Sequence, residues 1–353
     1  MHVSYQGLFI VTDTESPPSA HPYETLTPDV MLDAVDSQAL LAGGRSDGRQ
    51  LALNSYENRV YQVGIEGAQP VIVKFYRPHR WTDAAIQEEH DFAETLAQSE
   101  IPAIAPLRDA AGNSLFEHAG FRFAIYPRRG GRTPDLEDPD NLVWMGRFLG
   151  RIHAIGAVAD FQHRPTLDIE SFGREPFRYI MSTNIVPGDL HEAWSTLVED
   201  ILVQVEAGFE RAGVTENKVA QIRLHGDCHP GNILWTDGGP HFVDFDDARM
   251  GPAIQDLWML LSGERAQMTG QIDEILSGYS EFMDFNPREL HLIEPLRTLR
   301  MIHYSAWLAR RWDDPTFPMH FPWFAEPRYW EEQILALREQ AAMMNEEPLQ
   351  WMG

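Results

Sequence analysis

The sequence predicts an α+β fold with a small, β-rich N-terminal lobe and a larger, mostly helical C-terminal lobe. Its 353 residues exceed the roughly 150 that are typical of one domain. Runs rich in β-branched and aromatic residues are concentrated before residue 127, whereas apolar residues recur at helical spacing after it. We therefore expect a loosely ordered extension at residues 1–24, an N-terminal lobe at 25–127 and a C-terminal lobe at 128–353.

Within the N-terminal lobe, a short helix is expected to precede three strands. Thr27 followed by Pro28 is typical of a helix N-terminus, because a capping residue stands before Pro at the first helical position. Strands are predicted at residues 59–65, 70–75 and 121–126, which are rich in β-branched or aromatic residues and bounded by Gly, Pro or Asn.

One longer helix is predicted between the second and third strands, at residues 83–98. Its inward face carries Ala85, Glu89, Phe92 and Leu96, which follow a period of 3.6 residues. Glu89 therefore places a carboxylate on an apolar face, where an unpaired charge is unfavourable. We expect a positively charged partner for it.

The C-terminal lobe is predicted to begin after a Gly- and Pro-rich stretch at residues 130–139. Apolar periodicity predicts helices within residues 142–152, 190–208, 254–283, 287–312 and 328–344. Two short apolar runs, at 232–235 and 241–245, flank Asp237-Gly238-Gly239, which is typical of a β-hairpin.

The composition is strongly acidic, with 28 Lys plus Arg against 53 Asp plus Glu and a formal net charge of −25. Such a surface repels phosphate backbones and anionic lipids, so we expect neither a nucleic-acid nor a membrane partner. The single Cys228 excludes an intrachain disulfide and a Cys-rich zinc site. No apolar run approaches the length of a membrane helix, and the N-terminus lacks a secretory pattern. We expect a cytoplasmic protein that acts as a monomer.

Residues 225–232, His-Gly-Asp-Cys-His-Pro-Gly-Asn, carry the groups that phosphoryl transfer needs. That reaction requires a carboxylate at the attacking hydroxyl and oxygen ligands for magnesium beside the phosphates. Asp227 is the candidate catalytic residue that orients and deprotonates the acceptor. Asn232 and Asp244 are the candidate Mg²⁺ ligands, and Asp244 also has a catalytic role in bridging the metal and the phosphates.

The alternative is that these segments are polar turns. The order Asp, Asn, hairpin, Asp matches kinase catalytic and metal-binding loops, and this favours the functional interpretation. His225 and His229 are predicted to hold the backbone by hydrogen bonds rather than to bind zinc.

Lys74 is predicted to contact the phosphates of ATP. It stands late in an otherwise apolar strand, and Glu89 on the following helix is its expected partner. The alternative for Lys74 is an edge lysine whose head group reaches solvent. Glu88 is the second choice of partner, because it is rotated by about 100° on the helix.

Three further residues are candidates for binding ATP. Ser55 and Asn58 precede the first predicted strand, in a segment without the glycine pattern of a phosphate loop, and they offer a hydroxyl and an amide instead. A plain turn is the alternative for this segment. Tyr126 lies at the predicted lobe boundary, in a stretch whose backbone is placed to contact adenine.

Other notable residues receive structural interpretations. Nothing near Cys228 predicts a lowered thiol pKa, so a redox switch is not expected. Asp256 is expected to cap or brace a helix near the metal-binding loop. The aromatic and Pro-rich segment at 307–330 is interpreted as a packing cap, with a wall of the acceptor cleft as the alternative.

Four segments resemble the bacterial stress response kinase A family of the aminoglycoside phosphotransferase and choline kinase superfamily. They are residues 55–61, 73–78, 224–229 and 255–261. Residues 312–315 and 321–323 make the resemblance more specific than the His-Gly-Asp motif alone. It extends from about residue 23 to near the C-terminus.

This resemblance implies a bilobal protein-kinase-like fold, ATP and Mg²⁺ as cofactors, and phosphorylation of Ser or Thr in protein substrates during bacterial stress. It implies that Asp227 is the proton acceptor, that Asn232 and Asp244 bind magnesium and that Ser55 lies near ATP. His-Gly-Asp replaces the His-Arg-Asp of eukaryotic-type kinases, and the sequence has no Ala-Pro-Glu segment. Regulation by an activation loop is therefore not expected.

Two rival functions remain open at this point. A kinase acting on an aminoglycoside, choline, a sugar or homoserine would use Asp227 in the same way, so the motif does not separate it from a protein kinase. A scaffold that binds nucleotide without turnover is disfavoured, because Lys74, Asp227, Asn232 and Asp244 are all present.

Overall fold

The computed structural model of the protein describes residues 22–38, 40 and 44–352. Of the extension predicted at 1–24, residues 1–21 therefore lie outside the described part of the chain. At its end, Tyr23 is buried and its ring stacks on that of Phe121, with the centroids 6.3 Å apart.

Within the described residues, five strands form an antiparallel sheet in the N-terminal part of the fold. They are β1 Ser46–Ala52, β2 Arg59–Ile65, β3 Val71–Phe75, β4 Phe116–His118 and β5 Phe121–Pro127, in the order β1-β2-β3-β5-β4. The three predicted strands are confirmed. The sequence did not predict β1 and β4, because β1 is mostly polar and exposed at the sheet edge and β4 is very short.

Two predicted helices of this region are confirmed, α1 Pro28–Asp36 and α2 Asp83–Gln98. Each follows a threonine, Thr27 or Thr82, whose hydroxyl accepts a hydrogen bond from the backbone N–H three residues later, at 3.3 and 3.2 Å. These caps satisfy N–H groups that have no partner within the helix, and they fix where each helix begins.

The two faces of β3 have different surroundings. Val73 and Phe75 are buried in the core between the sheet and α1. Lys74 pairs with Ala124 and Ile72 with Tyr126 across β5. Because neighbouring positions of a strand alternate between faces, Ile72, Lys74 and Tyr126 share the other face.

The remaining helices form the C-terminal body. They are α3 Pro139–Gly156, α4 Glu175–Ser182, α5 Gly188–Ala212, α6 Ile254–Trp258, α7 Arg265–Tyr279, α8 Ile293–Ala309, α9 Thr316–His320 and α10 Pro327–Met343. The helix predicted at 254–283 is interrupted, because Gly263 adopts a φ of 85° and Glu264 forms a capping box at the start of a new helix. The helix predicted at 287–312 begins as a 3₁₀ turn. Across the part of the chain that the structure describes, no helix has the length and apolar character needed to cross a membrane.

Two short antiparallel pairs lie at the edge of this body. They are β6 Ile222–Leu224 with β9 Arg249–Gly251, and β7 Ile233–Thr236 with β8 Gly239–Phe242. The second pair confirms the predicted hairpin. Because Leu224 at the end of β6 pairs with Arg249 at the start of β9, the segments 225–232 and 243–248 are brought side by side. We call them the catalytic loop and the metal loop.

The carboxylate of Glu289, in the 3₁₀ turn Pro287–Leu292, contacts the first residue of α6. It accepts a hydrogen bond from Ile254 N at 2.9 Å, and the residue is only 4% exposed. Burial raises the pKa of Glu289 to about 7, although hydrogen bonds from the backbone at the start of α6 oppose the shift. This buried acid makes stability depend on pH.

We expect Glu289→Gln to remove that dependence. Because the folded-state pKa of about 7 exceeds the ordinary 4.5, the stability contributed by Glu289 is present below pH 4.5 and is lost as the pH rises through 7. The unfolding free energy of the Gln variant relative to wild type should therefore increase over this range, by at most about 3 kcal/mol. Denaturant titrations across the range measure the difference, and a constant difference would contradict the expectation.

Candidate active site

A cavity of about 390 Å³ lies between the sheet, α2 and the β7–β8 hairpin. Its volume is within the range of small-molecule sites. The residues around it are Leu53, Asn54, Ser55, Val60, Ile72, Lys74, Glu89, His90, Ala93, Ile104, Pro106, Tyr126, Pro127, Arg129, Gly231, Asn232, Leu234, Val243, Asp244 and Phe245. Five of the sequence-predicted ATP- and metal-binding residues besides Lys74 therefore reach one cavity: Ser55, Glu89, Tyr126, Asn232 and Asp244.

Lys74 lies at the centre of a cluster of carboxylates. Its Nζ is 2.9 Å from Asp244 Oδ1, 3.2 Å from Asp246 Oδ1 and 3.6 Å from Glu89 Oε1. The structure thus brings Lys74 and Glu89 together and adds two acids from the metal loop. Glu88 instead accepts hydrogen bonds from three backbone N–H groups of residues 162–164, at 2.7 to 3.0 Å, so it is not the partner of Lys74.

Burial and charge act in opposite directions in this cluster. Burial alone would lower the pKa of Lys74, but Asp244, Asp246 and Glu89 outweigh it and hold that pKa well above its usual value. Burial also raises the pKa of Glu89 to about 7, with Lys74 opposing the shift. Lys74 therefore stays positive and is available to a phosphate, while Glu89 is poised to lose its charge below neutral pH.

Asp244 stands at a sharp turn in the chain. Its backbone adopts the left-handed region, with φ 61° and ψ 63°, which residues other than Gly rarely occupy. Such a conformation costs about 1–3 kcal/mol and persists where the surroundings enforce it, often at functional sites. The turn leaves the carboxylate 50% exposed while it contacts Lys74.

Asn232 and Asp244 form a donor set that suits Mg²⁺. Asn232 lines the cavity, and its Nδ2 donates to the backbone oxygen of Asp227 at 2.9 Å. No described residue donates a hydrogen bond to its Oδ1. An amide oxygen and an exposed carboxylate beside a phosphate-sized space are typical of magnesium, which uses few protein ligands together with phosphates and water. The residues present therefore fit the expected metal.

The backbone of the catalytic loop is fixed by Asp256 in α6. Its carboxylate accepts the N–H groups of His225 and Gly226, each at 2.9 Å, and lies 3.1 Å from His153 Nε2. Gly226 has a φ of 84°, and a Cβ there would lie 2.1 Å from the backbone oxygen of Asp247. Asp256 was expected to cap or brace a helix, and it braces the catalytic loop instead.

The two histidines of the catalytic loop make the backbone contacts that were predicted. His225 Nε2 is 2.9 Å from the backbone oxygen of Val243, which ties the catalytic loop to the metal loop. His229 Nδ1 accepts a hydrogen bond from Gly231 N at 3.0 Å. The neighbouring Cys228 is buried, and burial raises the pKa of its thiol, so a reactive thiolate is disfavoured as expected.

Asp227 itself lies beside the cavity rather than in its wall. Its side chain is 22% exposed and contacts Arg300 Nη1 at 2.7 Å through Oδ1. Oδ2 is 3.6 Å from His229 Nε2, beyond ordinary hydrogen-bond length. The side chain of Asp227 is therefore partly accessible, although its Oδ1 is buried.

Asn58 does not reach the cavity, contrary to the expectation of an ATP contact. Its residue is buried, its Oδ1 accepts from Arg77 N at 3.0 Å and its Nδ2 donates to Asp246 Oδ2 at 3.1 Å. Both ends of the amide are occupied within the protein. Asn58 is thus a brace between the segment 53–58, which we call the phosphate loop, and the metal loop.

Tyr126 borders the cavity and begins a buried chain of polar groups. Its hydroxyl is 3.0 Å from that of Tyr76, which is 2.6 Å from His90 Nε2. His90 Nδ1 is in turn 2.8 Å from Ser114 Oγ. The side chain of Tyr126 is therefore anchored at the back of the cavity, an arrangement that the sequence analysis did not predict.

The sequence analysis did not identify two arginines that lie close to the site. Arg80 contacts Asp246 and lies 2.9 Å from Asp247 Oδ1, and Arg164 lies 3.7 Å from Glu89 Oε2. The partners are separated by at least 75 residues in the sequence, so no local spacing marks them. These arginines compensate the carboxylates that surround Lys74.

The aromatic segment 307–330 both packs and holds the phosphate loop. Trp307 Nε1 donates to Glu57 Oε2 at 2.6 Å, and Arg311 Nη2 is 2.7 Å from the same oxygen. Phe324 and Trp330 are fully buried, as expected for a packing cap. The segment therefore connects the C-terminal body to the phosphate loop as well.

Comparisons with known proteins identify relatives of this chain. The profile of the phosphotransferase enzyme family matches residues 49–293. The "Stress response kinase A" of Shigella flexneri is 44% identical over 332 residues, covering 94% of this chain and 98% of that protein. The "Serine/threonine protein kinase RdoA" of Salmonella typhimurium is 42% identical over 335 residues, with the same coverage.

Solved structures share the fold at low sequence identity. A microcompartment-associated aminopropanol kinase has a TM-score of 0.65 and 15% identity, covering 90% of this chain and 96% of the other. The amicoumacin kinase hAmiN, in complex with AMP-PNP, Ca²⁺ and Ami, has a TM-score of 0.63 and 18% identity. It covers 86% of this chain and 90% of its own. The predicted fold class is thereby confirmed.

The resemblance first noted on a few motifs extends over nearly the whole chain. The family profile spans the phosphate loop, Lys74 and both site loops. The chain therefore belongs to the stress response kinase A family, a group of ATP-dependent kinases within the phosphotransferase enzyme family.

Proposed function

We propose that this kinase transfers the γ-phosphoryl group of ATP to Ser or Thr hydroxyls of proteins, with Mg²⁺ as its metal, in the response of bacteria to stress. The observation that carries the proposal is the grouping of Lys74, Asn232 and Asp244 around one cavity, with Asp227 beside it. ATP would lie between an N-terminal lobe at 25–127 and a C-terminal lobe at 128–353.

The proposed mechanism assigns a role to each of these residues. Lys74 Nζ contacts the phosphates, and Glu89 holds its amine in place. Asn232 Oδ1 and the Asp244 carboxylate would hold Mg²⁺, which would neutralise phosphate charge. As the new bond forms between the acceptor oxygen and the γ-phosphorus, the bond to the leaving ADP oxygen breaks. Asp227 takes the hydroxyl proton.

The choice of a protein acceptor is supported by the closer relatives. Proteins that are 42–44% identical are named as stress response or serine/threonine protein kinases. The structural neighbours named for small-molecule substrates are only 15–18% identical, so they support the fold and not the acceptor. We further infer a cytoplasmic location, which agrees with the single cysteine and the use of ATP.

Transfer of radiolabelled phosphate from ATP tests the proposal. The protein is incubated with Mg²⁺ and either a generic basic protein or a panel of aminoglycosides, choline, sugars and homoserine. We expect label in the protein fraction and only background label in the small alcohols. Label in one small alcohol without label in protein would contradict the proposed acceptor, and ATP binding without any transfer would indicate a scaffold.

Removal of the metal ligands gives a separate prediction. Asp244→Ala should abolish the tightening of ATP binding by Mg²⁺, whereas Asn232→Ala should weaken it less, because an amide contributes a dipole and a carboxylate a full charge. Asp237→Ala, in the exposed turn of the β7–β8 hairpin, is the matched control. Calorimetry with and without Mg²⁺ measures the effect. Equal magnesium dependence in all the proteins would refute both ligand roles.

A further inference from the structure

Arg300, in α8, makes an ion pair with the carboxylate proposed to accept the proton. Its Nη1 lies 2.7 Å from Asp227 Oδ1. The arginine side chain is 41% exposed and the aspartate 22%. The second oxygen, Oδ2, lies 3.6 Å from His229 Nε2, beyond ordinary hydrogen-bond length. Oδ1 is buried and accepts no hydrogen bond from the described residues, so the ion pair with Arg300 is the contact that holds this oxygen.

We propose that Arg300 is a positioning residue for phosphoryl transfer, which holds Asp227 so that Oδ2 faces the acceptor hydroxyl. The inference rests on the proposed role of Asp227. A guanidinium stays protonated at all working pH values, so Arg300 does not exchange protons with the base. Its positive charge, 2.7 Å from Oδ1, instead holds the carboxylate through the ion pair.

The position of Arg300 on α8 suits this role. Leu296, Leu299 and Ile302 are buried and anchor the helix in the body. One turn on, the ring of Tyr304 stacks on that of Trp307, with the centroids 5.7 Å apart. α8 is therefore a rigid support, and reactive groups placed from helices are held more accurately than those placed from loops alone.

The ion pair between Arg300 and Asp227 is partly exposed, so an effect of its loss on catalysis can be distinguished from an effect on folding. Exposed ion pairs contribute little to stability. Loss of Arg300 should therefore leave the fold intact while it frees the Asp227 carboxylate to rotate. Misplacement of a reacting group by about 1 Å is sufficient to lower turnover about a hundredfold.

A different role for Arg300 makes the opposite prediction. If the guanidinium merely covered Asp227 and excluded the acceptor, its removal would raise turnover. The direction of the change in kcat therefore distinguishes a positioning residue from a blocking one.

The test compares Arg300→Gln and Arg300→Lys with Arg147→Gln. Arg147 is the matched control, because it is 40% exposed and pairs with Glu281 Oε1 at 2.7 Å, away from the site. We expect Arg300→Gln to lower kcat by about ten- to a hundredfold, with the KM for ATP and the thermal midpoint unchanged. Arg300→Lys should recover part of the loss, and Arg147→Gln should behave as wild type.

A double-mutant cycle with Asp227→Asn completes the test. If Arg300 acts through Asp227, its replacement should have no further effect once the carboxylate is gone. An unchanged or raised kcat in Arg300→Gln, or a loss that follows the thermal midpoint, would overturn the inference while leaving the kinase function intact. A wild-type protein that transfers no phosphate would overturn the proposed function and the inference together.

Discussion

Replacement of Asp227 by Asn is expected to lower turnover by about 10²- to 10⁴-fold, the usual contribution of a positioned general base. Asn has the same shape and still accepts a hydrogen bond from the acceptor, but it does not take up the proton. The surrounding backbone should not move, because Asp256 and Asn232 hold it independently of the Asp227 side chain. Steady-state kinetics with a protein acceptor measures the loss.

Nucleotide binding provides the control for this variant. Asp227 does not border the cavity, so the affinity for ATP with Mg²⁺ should stay close to that of wild type. The thermal midpoint should also remain, since the ion pair with Arg300 is partly exposed. Wild-type turnover in Asp227→Asn would disprove the assignment of the base, whatever happened to ATP affinity.

The grouping of the site residues could be predicted because it depends on residue spacings within short segments of the sequence. Asp227 and Asn232 are five residues apart on one loop, and a hairpin signal separates them from Asp244. The helical period placed Glu89 on the inward face of α2 and rotated Glu88 away, and the contacts of both residues agree. Where the spacing of residues along one element decides which side chains meet, the sequence alone is sufficient to predict the contact.

The remaining features depend on contacts between distant segments. Arg80 meets Asp246 only because the sheet packs against the metal loop, 166 residues later in the sequence. The left-handed backbone at Asp244 is imposed by its surroundings, since Asp has only a modest preference for that region. Asn58 was expected to contact ATP, and its sequence context gives no sign that the metal loop already occupies its amide.

Loss of Lys74 should destabilise the fold strongly. Lys74→Met would leave Glu89 and Asp246 buried without their central cation, although Arg164 and Arg80 remain nearby. Breaking a buried ion pair from one side costs about 3–5 kcal/mol, and the remaining arginines should keep the loss at the lower end of that range. Glu89→Leu should cost less, since Lys74 then retains Asp244 and Asp246.

The double variant Lys74→Met with Glu89→Leu isolates the coupling between the two side chains. It should be more stable than Lys74→Met, because the unpaired Glu89 is gone, and less stable than Glu89→Leu, because Asp246 still lacks its lysine. We expect a coupling of about 1–3 kcal/mol at pH values above 7. Transfer activity should stay low in both variants that lack Lys74.

The pH dependence of this coupling follows from Glu89. Its folded-state pKa of about 7 lies above the ordinary 4.5, so the stability it contributes is present below pH 4.5 and is lost as the pH rises through 7. Without Lys74, which lowers this pKa, the shift should be larger and the loss should extend to higher pH. Lys74→Met should therefore fall further below wild type at about pH 8 than at about pH 5. Denaturant titrations of all four proteins at both pH values measure this, and strictly additive effects at the higher pH would show that Lys74 and Glu89 do not interact.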